Sequence, residues 1–169
     1  MTFDLDPGEG VAWSAMQEAA SLTRALLQEL GLSSFLKTSG GKGLHVVVPI
    51  APRHGWDTVK DLSLAVVRRL AATFPDRFVA RSGAQNRVGR IFVDYLRNNP
   101  AATTAAAYSA RSRPGMGVSM PIAWDDLDAL PRSDQWTVRT AREHLSFQKV
   151  DPWEAYWNCK QGLPAQGFP

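Results

Sequence analysis

The stretch Phe3-Asp4-Leu5-Asp6-Pro7-Gly8 constrains this chain more than any other. Side chains alternate across a strand, so Phe3 and Leu5 leave by one face and Asp4 and Asp6 by the other. The apolar pair can enter a core, while the two carboxylates are left side by side. Like charges that close destabilise each other unless a cation sits between them. Pro7 and Gly8 then turn the chain away, which leaves the acidic pair at a strand end, open to solvent and ligand. The plainer alternative is an acidic turn after an edge strand.

The order of elements gives that pair neighbours. Ser14-Ala15-Met16-Gln17 resembles a capping box, and Met16, Ala19, Ala20, Thr23, Leu26, Leu27 and Leu30 repeat at helical steps up to a stop at Gly31. Ser34 to Thr38 reads as a second strand, Ser39 to Gly43 as a tight connector and Leu44 to Ile50 as a third strand, with Val46 and Val48 on one face and His45 and Val47 on the other. Asp57 caps a second helix whose buried stripe is Val59, Leu62, Val66 and Leu70, with Pro75 just past its end. Arg90 to Leu96 is a fourth strand, apolar through Ile91, Phe92 and Val93 and therefore covered on both faces, which makes Asp94 conspicuous.

Strand-helix-strand-strand-helix-strand is the split βαβ pattern of ferredoxin-like and RRM-like α+β folds. In that topology the first strand lies between the third and the fourth. Asp4, Asp6, His45 and Asp94 then sit on adjacent strands and converge if they share a face. The expected organisation is one domain over residues 1–169: a core (1–98), a loop and short-helix extension (99–160) and a Pro/Gly-rich tail (161–169). Within the extension, Tyr108 to Met120 reads as a loop or hairpin. Short helices are expected near Trp124 to Leu130, Thr137 to Leu145 and Asp151 to Lys160, with Trp153, Tyr156 and Trp157 packed on the domain. The first strand starts two residues after Met1, which suggests a domain cut from something longer.

Apolar residues make up 44% of the chain, enough for a real core, and the net charge is +3. The basic charge is concentrated: Arg77, Arg81, Arg87, Arg90, Arg97, Arg111 and Arg113 fall in one stretch whose only acid is Asp94. That suits a polyanion such as a nucleotide or nucleic acid; the alternative is a solvated face. One cysteine, Cys159, excludes an intramolecular disulfide and a Cys-rich zinc site and fits a reducing cytoplasm. No apolar run is long enough to cross a membrane and no signal peptide is visible, so no membrane partner is expected.

Three carboxylates on one face suit hard cations that prefer oxygen ligands, Mg²⁺ or Mn²⁺. Two such ions can clamp the attacking and leaving oxygens of a phosphoryl displacement, and no protein nucleophile is needed. The connector Ser39-Gly40-Gly41-Lys42-Gly43 supplies a hydroxyl, a point charge and backbone that an anion can approach closely, although it lacks P-loop spacing and by itself would read as a hairpin turn. Beside His45 it becomes a candidate triphosphate cradle. His45 has the alternative of a satisfied buried histidine. Arg111 and Arg113 are placed to reach phosphates or, alternatively, to lie on a surface loop.

Four blocks together resemble a known family: Phe-Asp-Leu-Asp-Pro-Gly (3–8), Lys-Thr-Ser-Gly-Gly-Lys-Gly-Leu-His (37–45), Arg-Ile-Phe-Val-Asp-Tyr-Leu (90–96) and Tyr-Ser-Ala-Arg-Ser-Arg-Pro-Gly (108–115). They are similar to the polymerase domain of bacterial ATP-dependent DNA ligase D, of the archaeo-eukaryotic primase superfamily, over about Phe3 to Trp157. The resemblance implies Asp4, Asp6 and Asp94 as catalytic metal ligands for two Mn²⁺ or Mg²⁺ ions. It implies Ser39, Lys42, His45 and Arg111 as nucleotide-binding residues and Arg87, Arg97 and Arg113 as contacts to DNA. The implied activity is addition of nucleotides, preferentially ribonucleotides, to DNA 3′ ends in non-homologous end joining. The implied setting is the bacterial cytoplasm at the nucleoid, with primer-template or broken DNA ends, ligase and the end-binding protein Ku as partners. Family members carry roughly a hundred further residues before the first motif, so a partial domain is expected here. Two other functions compete with this reading. One is a non-catalytic RRM-like module that binds nucleic acid. The other is a haloacid-dehalogenase-type phosphatase, which also opens on Asp-x-Asp but has a Thr where Pro7-Gly8 stands here.

Overall fold

The computed structural model describes residues 1–164, and in it β1 (Thr2–Pro7) sends Phe3 and Leu5 to one face and Asp4 and Asp6 to the other, with Asp4 buried as well. Phe3 and Leu5 are fully buried and face α1 (Trp13–Glu29), whose stripe is Met16, Ala19, Ala20, Thr23, Leu26 and Leu27. The chain continues through β2 (Phe35–Thr38), β3 (Leu44–Val47), α2 (Trp56–Thr73), β4 (Phe78–Val79), β5 (Ile91–Asp94), β6 (Pro121–Ile122) and α3 (Ala141–Phe147). The fold is α+β. Six strands form one sheet in the order β4-β5-β1-β3-β2-β6, antiparallel except for β4 beside β5.

The central four strands follow the split βαβ expectation: β1 lies between β3 and β5, and the hairpin β2-β3 extends one side. Two short edge strands, β4 and β6, are additions that two-residue pairings leave unreadable in sequence. The helices α1 and α2 lie on one face of the sheet. The core they enclose includes Phe3, Leu5, Leu36, Leu44, Val46, Ile91 and Val93 from the strands, Val48 just past β3, and Val66, Val67 and Leu70 from α2. Burying each such side chain contributes roughly 1.5–3 kcal/mol.

Helix starts depart from the capping expectations. The helix α1 begins at Trp13, one residue before Ser14, and no side chain caps it. Gln17 instead reaches across the domain and donates to the carbonyl of Leu127 (2.8 Å), while Trp13 Nε1 donates to that of Leu130 (2.5 Å). Tertiary partners have taken the groups that a local box would use. Asp57 likewise lies inside the first turn of α2, after Gly55, where it favours the helix by charge and makes no cap hydrogen bond.

The extension is part of the core, through Val118, Met120, Ile122, Leu127, Leu130, Trp136 and Ala141. Tyr108 to Met120 is hairpin-like, with Ala110 opposite Val118. Residues 124–126 form a 3-10 turn and α3 spans Ala141–Phe147, but Asp151 to Lys160 does not form a helix. Asp151 Oδ1 instead accepts from the Trp153 amide (2.8 Å), and Trp153 stacks on Tyr156 with both rings edge-on to Phe35. Trp153 and Tyr156 thus pack as expected, whereas Trp157 is 85% exposed. Of the expected frayed tail, residues 165–169 lie outside the described residues. Among the described residues, no helix is long and apolar enough to cross a membrane.

Candidate active site

The face of the sheet turned away from the helices carries a polar row. Strand register pairs Lys37 with His45, His45 with Asp4, and Asp4 with Asp94. Four adjacent strands therefore present Lys37, His45, Asp4 and Asp94 side by side, because directly paired residues point the same way. Asp6 follows two residues along β1, opposite Phe92. The convergence on which the sequence reading depends is present: one carboxylate oxygen from each of Asp4, Asp6 and Asp94 lies within 4.8 Å of the other two.

The electrostatics divide the three acids. Burial alone would raise Asp4, but the His45 ring close beside its carboxylate, with the charges of Arg97 and Lys37 behind, outweighs it and holds the carboxyl below the usual value. Asp6 and Asp94 are raised, chiefly by burial and further by the neighbouring carboxylates, against the opposing charges of Arg87 and Arg97. Arg97 Nε lies 3.0 Å from Asp94 and 3.6 Å from Asp4, and Arg87 Nη1 lies 3.5 Å from Asp6. Both arginines thus sit at the carboxylates. The three hard oxygen donors, two of them raised chiefly by burial and further by the neighbouring carboxylates, fit a divalent cation: such an ion would favour their charged forms against both effects.

The connector after β2 closes the other side. Ser39 Oγ accepts hydrogen bonds from the amides of Gly41 and Gly43, 3.1 Å each, so two of the loop's N–H groups are engaged within the loop. Ser39 Oγ also lies 3.3 Å from Ser133 Oγ, whose own proton goes to the Gly43 carbonyl, so the Ser39 hydroxyl is the donor in that long contact. Positive charge comes from side chains. A cleft of about 320 Å³ is lined by Asp4, Asp6, Ser39, Lys42, His45, Arg87, Arg97, Arg111 and Arg113. Every residue expected to bind nucleotide or DNA is in that lining. Arg111 is anchored by donating to the Ser39 carbonyl (3.0 Å). His45 Nε2 lies 3.2 Å from Asp4 Oδ1 without an aligned hydrogen bond, and it and Arg97 Nε are buried donors lacking a well-oriented acceptor. A larger cavity of about 710 Å³ adjoins the cleft, sharing Pro7, Lys42 and Arg87.

Two glycines are fixed by close approach. A side chain at Gly43 would collide with the Leu5 carbonyl, and Gly40, at φ +68°, would put a Cβ 2.9 Å from the Gly117 oxygen. The connector is thereby pressed onto both β1 and the Tyr108–Met120 hairpin.

Some contributors escaped the sequence reading. Lys37 donates to Ser119 Oγ (2.7 Å) and lies 2.8 Å from His45 Nδ1. Ser133 Oγ accepts from the Ser39 amide (3.0 Å) and donates to the Gly43 carbonyl. Lys37 was legible in principle: a five-residue connector pairing Thr38 with Leu44 puts Lys37 opposite His45. The serines carry no such signal.

Comparison with known proteins decides the family. Residues 1–153 match the family model described as LigD, primase-polymerase domain. The chain belongs to that family. It is 50% identical over 163 residues to the multifunctional non-homologous end joining protein LigD of Pseudomonas aeruginosa, covering 96% of this chain and 19% of that protein. Its identity to the Mycolicibacterium smegmatis LigD is 39% over 127 residues, 75% of this chain and 17% of that protein. The chain therefore spans about a fifth of the length of these LigD relatives. Among solved structures, the polymerase domain from Mycobacterium tuberculosis ligase D, in complex with DNA, superposes with a TM-score of 0.75 at 37% identity. That match covers 85% of this chain and 51% of the solved domain. The LigD polymerase fold is thus the fold of this chain, and the phosphatase alternative falls with the assignment.

Proposed function

We propose that this chain carries the catalytic face of a nucleotidyltransferase that joins a nucleoside triphosphate to a DNA 3′ end in end-joining repair. The observation that carries the reading is the polar row: Asp94, Asp4 and His45 paired across three strands, Asp6 beside them and a cationic cleft in front. Asp4, Asp6 and Asp94 would hold divalent cations, Mn²⁺ or Mg²⁺ and two in number. Bound there, such ions supply a lowered pKa at the attacking hydroxyl and neutralisation of charge on the phosphate.

The remaining work falls to the chain's own side chains. Asp4 is held below the usual carboxylate value and Asp6 and Asp94 above it, and a cation held by the three would favour the ionised form of the latter two. His45 Nε2–H and the Ser39 hydroxyl donate to phosphate oxygens, and Lys42, Arg111 and Arg113 screen the triphosphate. Arg97 and Arg87 balance the carboxylates when the site is free and turn toward the nucleotide or DNA when it is filled. The DNA complex of the mycobacterial relative supports DNA as the second substrate, and LigD membership supports ligase and Ku as partners in a bacterial cytoplasm, at the nucleoid. A non-catalytic RRM-like module is less well supported, since such modules stack bases on sheet aromatics and this face centres on carboxylates.

The test is Mn²⁺ binding and primer extension by the wild-type chain and by Asp94→Ala. The expected result is binding and extension in the wild type and loss of both in the variant. Mn²⁺ affinity unchanged in Asp94→Ala would remove the proposed metal site, and nucleic-acid binding that persists in EDTA without extension would favour the binding-module reading.

A further inference from the structure

Lys37 is the one cation on the active face that the mechanism above leaves without a task. It lies at the inner end of the polar row and is only 3% exposed. No carboxylate forms an ion pair with it among the described residues; its two partners are Ser119 Oγ at 2.7 Å and His45 Nδ1 at 2.8 Å. A buried lysine is costly to keep, so its partners point to what it does.

The hydrogen-bond directions can be worked out from both ends. Ser119 Oγ gives its own proton to the Thr38 carbonyl (2.7 Å), so it accepts from Lys37 Nζ. Lys37 Nζ has N–H bonds to donate in either protonation state. On the far side of the ring, His45 Nε2 faces the Asp4 carboxylate at 3.2 Å, and an ionised carboxylate only accepts. A neutral imidazole has one proton and one lone pair. With the proton on Nε2 and the lone pair on Nδ1, each nitrogen faces a complementary neighbour, and the Nε2–H, not aligned on Asp4 Oδ1, stays free for a further acceptor. The other tautomer would set the Nε2 lone pair against the carboxylate and, when Lys37 is an ammonium, Nδ1–H against its hydrogens.

We infer that Lys37 is a positioning residue which, held by Ser119, fixes His45 in the Nε2–H tautomer, so that a donor faces the triphosphate oxygens. The inference rests on the reading of the cleft as a nucleotide site. Second partners of this kind set which imidazole nitrogen carries the proton. Thr104 Oγ1, 3.4 Å from Nδ1, can accept as well as donate and so, once Lys37 is gone, no longer excludes the opposite tautomer.

The experiment is ¹⁵N NMR of the histidine side chains in the whole chain, with His45 assigned among three histidines by a His45→Gln variant. Wild type is expected to show Nε2 protonated and Nδ1 bare. Lys37→Met, checked for folding by circular dichroism, should shift His45 toward Nδ1–H and weaken ATP binding about tenfold, the scale of one hydrogen bond to a charged group. Lys37→Arg should retain the tautomer. A wild-type His45 protonated on Nδ1, or on both nitrogens, overturns the inference, as does a folded Lys37→Met protein with an unchanged tautomer. Should Lys37→Met fail to fold, the wild-type spectrum and Ser119→Ala decide by the same criterion. The tautomer is read without nucleotide or metal, so failure of the polymerase reading, seen as no ATP binding in wild type, is distinguishable from failure here.

Discussion

The two faces of β1 are built from neighbouring residues and obey opposite rules. Phe3 and Leu5 lose all contact with water and gain from it; Asp4 and Asp6, one residue away on either side of Leu5, are pressed together with Asp94 and strained electrostatically. The helix face supplies the stability that lets the other face keep a repulsive cluster in place. A strand that is well packed on one side can hold on its other side an arrangement that would not assemble by itself.

Substitutions on the two faces should therefore act in opposite senses. The largest effect is expected from Phe3→Ala, which removes a fully buried ring: about 3–5 kcal/mol of stability lost, read by urea unfolding. Ser133→Ala should cost about 1–3 kcal/mol, because it removes two buried hydrogen bonds from the connector and leaves the Ser39 amide and the Gly43 carbonyl only their bond to each other (3.1 Å). It should also weaken ATP binding by loosening the connector, which titration calorimetry would show. Asp94→Asn should do the reverse to stability in metal-free protein, gaining up to about 1 kcal/mol by removing a buried charge that also opposes Asp4, while losing Mn²⁺ binding. A destabilised Asp94→Asn protein would break the comparison, since the acidic face would then be helping to hold the fold.

The smallest effects are those of pH. Asp6 and Asp94 are raised in the folded protein, so their contribution to stability is fully present below the unfolded value of 3.8 and is lost as pH rises through their folded values. Melting temperature without metal should fall on that account as pH rises from about 4 toward neutrality, and Mn²⁺ should remove much of the fall. Lys37 is lowered by burial to about 7 from 10.5. Its contribution is present above 10.5 and is lost as pH drops through about 7, so wild type should lose stability relative to Lys37→Met across that window.

What could be read from the sequence follows the same division. Period-two alternation in Phe3-Asp4-Leu5-Asp6 and the apolar stripes of both helices are local signals, and they gave the sheet's two faces and the order of its central strands. The cap positions were misread because Trp13 and Gln17 found partners more than a hundred residues away. Ser119 and Ser133 were invisible for a related reason: nothing local marks a serine whose partner is a backbone group of a distant loop. Lys37 lay between these cases, since hairpin register alone would have set it beside His45.

Gly40 and Gly117 meet backbone to backbone, and Arg111 is tied to the Ser39 carbonyl across the same seam. Ser39, Lys42, Arg111 and Arg113 are consequently mounted on a single plate, the connector and the hairpin being locked at that seam. Such a plate grips an incoming phosphate chain in the shape it already has, with little ordering left to do on contact, so any closing movement during a catalytic cycle falls to parts that lie outside that seam.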